Sequence, residues 1–304
     1  MLEPRCAGIS RARAEPVRAS ASMVRGWVML EQPGPWGSEA VAQSRLPDPV
    51  AGPLQELGRV HGLRVLLLRR PERPAVTDPH CFVAYSGRPS PWIEKRVLSD
   101  PHQLLDLDLS GLATGRRLPP SPAREAELSE PLYLVCTNGR HDPCCAQLGR
   151  PVVRALLDGS TGDRVWECSH IGGDRFAGNL VCLPHGLYFG RLGPVEAAAV
   201  VASYERGLIE LDHYRGRAGD PFAVQAAEFF VRESEGLLGV DDLVPERRRR
   251  MDDGVVEVSF RGPRERRFIV KLAANPADEP RPLTCAAVRQ QRPATYSLLG
   301  LRTG

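Results

Sequence analysis

The feature of this 304-residue chain that most constrains its fold is a concentration of cysteine and histidine in two short segments. Four of the eight cysteines and two of the seven histidines lie between residues 136 and 170. The first segment reads CTNGRHDPCC over residues 136–145, and the second reads CSHIGGDRFA over residues 168–177. One helix and one strand are predicted between them. Sulfur and imidazole groups on two such loops favour a transition-metal or iron–sulfur site.

The composition is typical of a soluble globular protein, with 42% hydrophobic and 25% charged residues. The net charge of +3 gives no general argument for binding nucleic acid. No apolar run approaches the ~20 residues of a membrane helix, and the N-terminus lacks the apolar core of a signal peptide. We therefore expect a cytoplasmic protein whose cysteines stay reduced. The bias towards Arg, Ala, Gly and Pro indicates a GC-rich bacterial genome.

The apolar runs predict an α/β fold with two units and an α+β extension. We divide the chain into a disordered arm (1–20), a smaller N-terminal α/β domain (21–110), a linker rich in glycine and proline (111–130), a second α/β domain (131–218) and a C-terminal extension (219–304). Cys6 is then expected to be a free thiol on a mobile segment. The tail from residue 274 is expected to be mostly irregular, and the charge run Arg247 to Arg250 to be a solvated face.

The second domain is predicted to have the element order β-α-β-β-α of a thioredoxin-like half-fold. Cys136 ends its first strand, and Cys145 lies at the start of its helix, where the helix dipole lowers the pKa of a thiol. His170 follows the next strand. Gly172 and Gly173 allow the backbone to pass close to a bulky group. The close cysteine pairs of zinc sites and thioredoxin dithiols are absent, which favours an iron–sulfur cluster.

Three blocks, CTNGRHDPCC, SHIGGDRFAGN and LPHGLYFGR, occur here in the order typical of sucrase/ferredoxin-like proteins. The chain resembles this family, a branch of thioredoxin-like [2Fe–2S] ferredoxins, over roughly residues 20–215. The resemblance implies a cluster held by two cysteines of the first block and two histidines of an H-x-G-G-H block. By position these are Cys136, Cys145 and His170, with Asp174 in place of the second histidine.

This aspartate leaves the fourth ligand open. Asp174 could bind iron through oxygen, or Cys144 or Cys168 could take the place. His141 is interpreted as a loop histidine with a nearby hydrogen-bond partner.

Four further residues of the two loops are predicted to surround the cofactor: Arg140, Gly172, Gly173 and Arg175. The arginines could neutralise the charge of the cluster or dock an acidic redox partner.

These inferences predict a one-electron carrier with a [2Fe–2S] cluster rather than a stand-alone catalyst. A separate protein must then donate or accept the electron, because no nicotinamide or flavin motif is present; neither nucleic acid nor a membrane is expected as a partner. Two alternatives remain: a thioredoxin-like interaction protein without a cluster, and a thiol-based oxidoreductase.

Overall fold

The computed structural model describes residues 5–72, 75–119, 124–159, 161–251 and 254–304. Within them the chain forms five α-helices and fourteen strands, which confirms the predicted α/β class. The helices are α1 (Cys6–Ala12), α2 (Asp48–His61), α3 (Pro143–Leu157), α4 (Pro194–Glu205) and α5 (Phe222–Glu235). The strands are β1 (Gly26–Glu31), β2 (Leu63–Arg69), β3 (His80–Tyr85), β4 (Trp92–Val97), β5 (Arg124–Glu127), β6 (Leu132–Cys136), β7 (Val165–Cys168), β8 (Leu180–Leu183), β9 (Leu187–Phe189), β10 (Tyr214–Arg217), β11 (Val244–Arg250), β12 (Val255–Arg261), β13 (Arg267–Pro276) and β14 (Ala294–Thr303).

A ten-stranded mixed sheet contains the same topology twice. Its order is β10-β9-β8-β6-β7-β2-β1-β3-β4-β5. In each half the first two strands are parallel and connected through a helix, and the third strand is antiparallel to the first. The halves meet where β2 and β7 pair antiparallel, with Leu68 opposite Cys168. The sheet therefore contains two copies of one β-α-β-β unit, related by a pseudo-twofold axis. The two copies show no recognisable repeat in the amino-acid sequence.

The two predicted domains contribute to this one sheet instead of forming separate sheets. The segment expected to be a linker contains a 3₁₀ turn, Leu112–Thr114, and strand β5 at the edge of the sheet. A high content of glycine and proline predicts irregular backbone. It does not show that the chain pairs with β4 at the edge of the sheet.

Alternate side chains of the strands lie on two faces of the sheet. On one face, α2 covers the first half and α3 with α4 covers the second. The opposite face forms a single core to which both halves contribute. There the rings of Trp27 on β1 and Tyr188 on β9 have centroids 6.3 Å apart. Because these strands are far apart in the sheet order, the sheet must curl around this shared core.

Local chemistry sets where the helices begin. Asp142 precedes α3, and its side chain accepts a hydrogen bond from the Cys144 amide at 2.8 Å. Pro143 follows, and a proline is tolerated in the first turn because that N–H has no partner within the helix. Cys145 is therefore held in the first turn of α3. Helix α2 ends at Gly62, which adopts the left-handed conformation that glycine favours.

The C-terminal part forms a second, antiparallel sheet of four strands, β11-β12-β13-β14, against which α5 packs. Strands β12 and β13 are consecutive antiparallel neighbours in this sheet and form a hairpin. The arginine run forms strand β11 and the tail forms β14, both mostly exposed, so neither carries the alternation that marks a half-buried strand.

The N-terminal segment differs from the expected disordered arm. Residues 6–12 form α1, and Cys6 is buried; residues 1–4 lie outside the described residues. Of the residues that the structure describes, none belongs to a helix long and apolar enough to cross a membrane.

Candidate metal centre

Three donors meet at the ends of neighbouring strands. Cys136 ends β6, Cys145 lies in the first turn of α3, and His170 follows β7. One ligand atom from each lies within 4.8 Å of the others. Strands β6 and β7 are parallel neighbours, so the β-α-β connection brings their carboxyl ends and the start of α3 together. The two thiols are buried, whereas His170 keeps 26% of its side chain exposed.

A second group of donors shares His170. It adds His141, from the first loop, and Asp174, and the three ligand atoms again lie within 4.8 Å of one another. The rings of His141 and His170 stack, with centroids 3.6 Å apart and planes at 24°. Asp174 reaches both rings, with Oδ1 2.9 Å from His170 Nδ1 and Oδ2 3.6 Å from His141 Nε2. The centre thus contains a buried thiol pair beside a stacked imidazole pair.

His141 makes the expected hydrogen bond to a nearby group, from its Nδ1 to the Ser38 carbonyl at 3.1 Å. Because a carbonyl only accepts, Nδ1 carries a proton, and in the neutral imidazole the lone pair is on Nε2. Its position inside the cysteine-bearing block was the available signal that this histidine belongs to the centre.

The ionisable groups of the centre perturb one another. A hydrogen bond from the Cys145 thiol lowers the pKa of Cys136 to about 5 despite its burial, and His170 acts in the same direction. Burial opposes protonation of His170, but Asp174 and Cys136 together raise its pKa to about 9. Burial also opposes ionisation of Asp174, yet the two imidazoles close to its carboxylate hold its pKa well below the usual range. Thiolate and carboxylate are therefore available to a cation.

The loop after β7 is fixed by glycines and a buried arginine. Gly172 and Gly173 have φ of +94° and +82°, and a Cβ atom on them would overlap Ser22 and Arg215 respectively. Arg215 donates to Asn179 Oδ1 at 2.8 Å, and the Asn179 amide donates to the Gly173 carbonyl at 2.9 Å. This network holds the loop that carries His170 in one conformation.

Two predicted ligands lie elsewhere. Cys144 follows the helix cap, but its sulfur lies 3.7 Å from that of Cys6 and 3.4 Å from that of Cys285, in a different group from Cys145. Burial raises the pKa of Cys144 to about 11. Cys168 packs in the shared core and belongs to neither donor group around His170.

The two loop arginines occupy different environments. Arg140 is exposed beside the centre. Arg175 is mostly buried, donates from Nε to Glu15 Oε1 at 2.9 Å, and lies over the Phe176 ring.

The first half of the sheet carries an ion pair at the equivalent position. Glu31 ends β1 opposite Leu68, just as Cys136 ends β6 opposite Cys168. Arg70 and His170 each stand two residues beyond those partners. The Arg70 Nε lies 3.1 Å from Glu31 Oε1. The pseudo-twofold axis therefore relates a thiol–imidazole pair to a carboxylate–guanidinium pair, which offers no soft donor.

Comparison with known proteins gives one match. The model of the sucrase/ferredoxin-like family matches residues 18–216, from the segment before β1 into β10, and so covers both halves of the large sheet. No curated protein and no solved structure gives a significant match. Because the family model matches more than half of the chain, the protein belongs to the sucrase/ferredoxin-like family.

Proposed function

We propose that the protein is a one-electron carrier whose [2Fe–2S] cluster is held by Cys136, Cys145, His170 and His141. The observation that carries this proposal is the buried thiol pair next to a stacked imidazole pair at the ends of β6 and β7. Membership of a ferredoxin-like family supports it.

The residues of the centre fit such a group. Among the described residues, His170 Nδ1 and Asp174 Oδ2 are buried without a hydrogen-bond partner. The 2.9 Å contact between Nδ1 and Asp174 Oδ1 has the distance but not the direction of a hydrogen bond. A buried polar atom left unsatisfied costs about 1–3 kcal/mol, so the protein groups alone do not satisfy this centre. Two thiols and two imidazoles are the donors of mixed-ligand [2Fe–2S] centres.

His141 is a better fourth ligand than Asp174 because of what surrounds each side chain. Histidine ligands of metals donate their second ring N–H to a carbonyl or a carboxylate, which fixes the tautomer. His141 donates to the Ser38 carbonyl, and His170 faces Asp174. Asp174 then orients the imidazoles, and the aspartate of the H-x-G-G-D block is a positioning residue.

The surroundings of the centre suit electron transfer. When bound, the cluster would supply a one-electron redox couple. Cys136 and Cys145 exclude water on the inner side, since at most 1% of either residue is exposed. The two histidines border a cleft that is also lined by Glu39, Arg59 and Arg64. A separate donor or acceptor protein would contact this imidazole edge. All eight cysteines are free, as in a reducing compartment such as the cytoplasm.

Purification without oxygen tests the proposal. We expect a brown protein with two iron and two acid-labile sulfide per chain. Its reduction potential should lie above that of an all-cysteine plant-type ferredoxin, because neutral imidazoles leave the cluster less negative. Cys136→Ser should abolish the colour, whereas Cys182→Ala, in a strand core away from the centre, should keep it. Colourless wild-type protein after iron and sulfide reconstitution would overturn the proposal, and a reactive thiol in it would favour an oxidoreductase.

A single tetrahedral ion is a second candidate. The ligand atoms of Cys136, Cys145 and His170 all lie within 4.8 Å of one another, close enough to surround one Zn²⁺ at about 2.0–2.3 Å. One equivalent of metal that depends on these residues, without sulfide, would support this structural role instead.

A further inference from the structure

A separate group of side chains able to bind a metal lies at the N-terminus of α3, apart from the centre around His170. It consists of Cys6, Asp142, Cys144 and Cys285, and one ligand atom from each lies within 4.8 Å of the others. The group combines three separate parts of the chain: helix α1, the first turn of α3, and the segment between β13 and β14. None of these residues contributes to the centre around His170.

The distances in this group are those of a tetrahedral sulfur-rich site. The three sulfurs form a triangle with sides of 3.4, 3.5 and 3.7 Å. Asp142 Oδ2 lies 3.5 Å from Cys6 Sγ. For a tetrahedral zinc ion with Zn–S of about 2.3 Å and Zn–O of about 2.0 Å, the ligand atoms stand about 3.8 Å (S to S) and about 3.5 Å (S to O) apart. The same sulfurs are too far apart for a disulfide, whose S–S bond is about 2.05 Å.

The negative charge of the buried Asp142 carboxylate is a second reason to expect a cation here. This carboxylate is fully buried. It accepts backbone hydrogen bonds from Cys144 at 2.8 Å and Cys285 at 2.6 Å. Among the described residues, no arginine or lysine forms an ion pair with it, although a buried carboxylate is ordinarily paired or bound to metal.

We propose that Cys6, Cys144, Cys285 and Asp142 form a second metal site that holds one Zn²⁺ and fastens both ends of the chain to α3. Three thiolates and one carboxylate form a closed set of four ligands, which is typical of a structural zinc site. Each thiol gives up its proton to solvent as the ion binds. Neighbouring residues of one helix turn therefore serve different centres, Cys144 the zinc and Cys145 the cluster.

The surrounding contacts agree with a fastening role. Arg13 of the segment after α1 lies 3.4 Å from Glu279 of the C-terminal segment. Arg281 of the same segment lies 3.6 Å from Glu15. The Arg13–Glu279 pair is exposed and adds little stability, whereas the Arg281–Glu15 pair is buried. A structural zinc ion would add its binding free energy to these contacts.

Metal analysis of matched double variants tests the proposal. The full-length protein, purified without added metal, should contain one zinc per chain. Cys6→Ser/Cys285→Ser should lose that zinc and keep its iron, whereas Cys136→Ser/Cys145→Ser should lose iron and keep zinc. Cys81→Ala, a buried cysteine outside both groups, should keep both metals. In Cys136→Ser/Cys145→Ser protein stripped with a chelator, Co²⁺ should give the intense thiolate absorption of tetrahedral cobalt, and adding Cys285→Ser should weaken Co²⁺ binding at least tenfold.

Each result decides between the two centres. Zinc that survives in Cys6→Ser/Cys285→Ser protein and is lost from Cys136→Ser/Cys145→Ser protein would overturn the second site. Chelator-stripped Cys136→Ser/Cys145→Ser protein that gives no cobalt–thiolate absorption would overturn it too. Mass spectrometry that finds a disulfide among Cys6, Cys144 and Cys285 in protein kept without oxygen would also overturn it. Loss of iron with retention of zinc would affect the electron-carrier proposal alone. Because Cys285 lies at the surface, its single serine variant should fold even where the double variant does not.

Discussion

Asp174 stands at the sequence position where the family resemblance implies a second histidine, and His141 of the first loop stacks on His170. The aspartate contacts one nitrogen of each of the two stacked rings. This arrangement places two imidazoles and one negatively charged carboxylate beside the thiol pair. Such a carboxylate fixes the rings and raises the basicity of the imidazoles.

We predict that the isosteric change Asp174→Asn keeps the cluster and that His141→Ala loses it. Removal of the negative charge beside the imidazoles should move the reduction potential of Asp174→Asn to a more positive value, because the reduced cluster is then stabilised. Iron analysis, visible absorption and a redox titration at equal protein concentration measure these effects.

Arg140→Gln is a suitable control, since Arg140 is exposed in the same loop. If Asp174→Asn bleaches the protein while His141→Ala stays coloured, the aspartate is the ligand and our assignment of the two side chains is wrong.

Among the elements, α3 positions the centre through a close contact with β6. A Cβ atom at Gly149 would overlap the carbonyl oxygen of Cys136. The helix can therefore lie against the strand end only because position 149 has no side chain. In the other half, Gly52 lies in α2, and a Cβ there would meet no atom within 4 Å.

These two helical glycines give a matched pair of variants. Gly149→Ala should destabilise the protein by about 1–3 kcal/mol, because the added methyl group overpacks the contact between helix and strand. It should also reduce the iron content, because Cys145 moves with α3. Gly52→Ala meets no neighbouring atom within 4 Å but precedes Pro53, which disfavours a helical conformation for any residue with a Cβ; it should therefore destabilise less than Gly149→Ala and leave the iron content unchanged. Urea unfolding and iron analysis of both variants check this. Equal stability of the two variants would show that α3 does not approach β6 as closely as described.

In the whole molecule, a buried ionic network connects the C-terminal extension to the first half of the sheet. Glu228 of α5 is fully buried and lies 2.8 Å from Arg88, in the turn between β3 and β4, and 3.0 Å from Arg232. Tyr214 of β10 donates to the same carboxylate at 3.2 Å. One side chain thus joins the first half, the second half and the extension.

Glu228→Gln should destabilise the protein by about 3–5 kcal/mol, the cost of leaving buried partners of an ion pair uncompensated. Glu233→Gln, on the exposed face of the same helix, should change stability by less than about 0.5 kcal/mol. Denaturant unfolding at neutral pH compares them. A Glu228→Gln protein as stable as the Glu233→Gln control would mean that the network contributes no net stability.

The same carboxylate predicts how stability depends on pH. Burial opposes its ionisation, but Arg232 and Arg88 lower the pKa of Glu228 from 4.5 to about 2. A lowered folded-state pKa makes a contribution that is complete above pH 4.5 and is lost as the pH falls towards 2. Unfolding measured from pH 6 to about pH 2 should show this loss in wild-type protein and a smaller one in Glu228→Gln. An identical acid dependence in both proteins would contradict the assignment.

The local sequence pattern was sufficient to predict those features that depend on one segment of the chain. The α/β class and the family were predicted from the sequence and are confirmed. The apolar pattern of residues 48–61 by itself predicts a helix with the bounds of α2, because a helix-type pattern ends there at a glycine. The proximity of Cys136, Cys145 and His170 followed from β-α-β geometry, which places strand ends and a helix start at one edge of a sheet.

Tertiary structure alone decided the contacts between distant segments. Cys6 was expected to be a free thiol on a mobile segment, yet its sulfur and that of Cys285 both lie beside Cys144, which is 138 and 141 positions away along the chain. The antiparallel pairing of β2 with β7, which makes one sheet of two predicted domains, is equally invisible in either strand. Periodicity records which face of a segment is buried. It carries no information on which remote segment covers that face, because packing selects the partner only when the whole chain has folded.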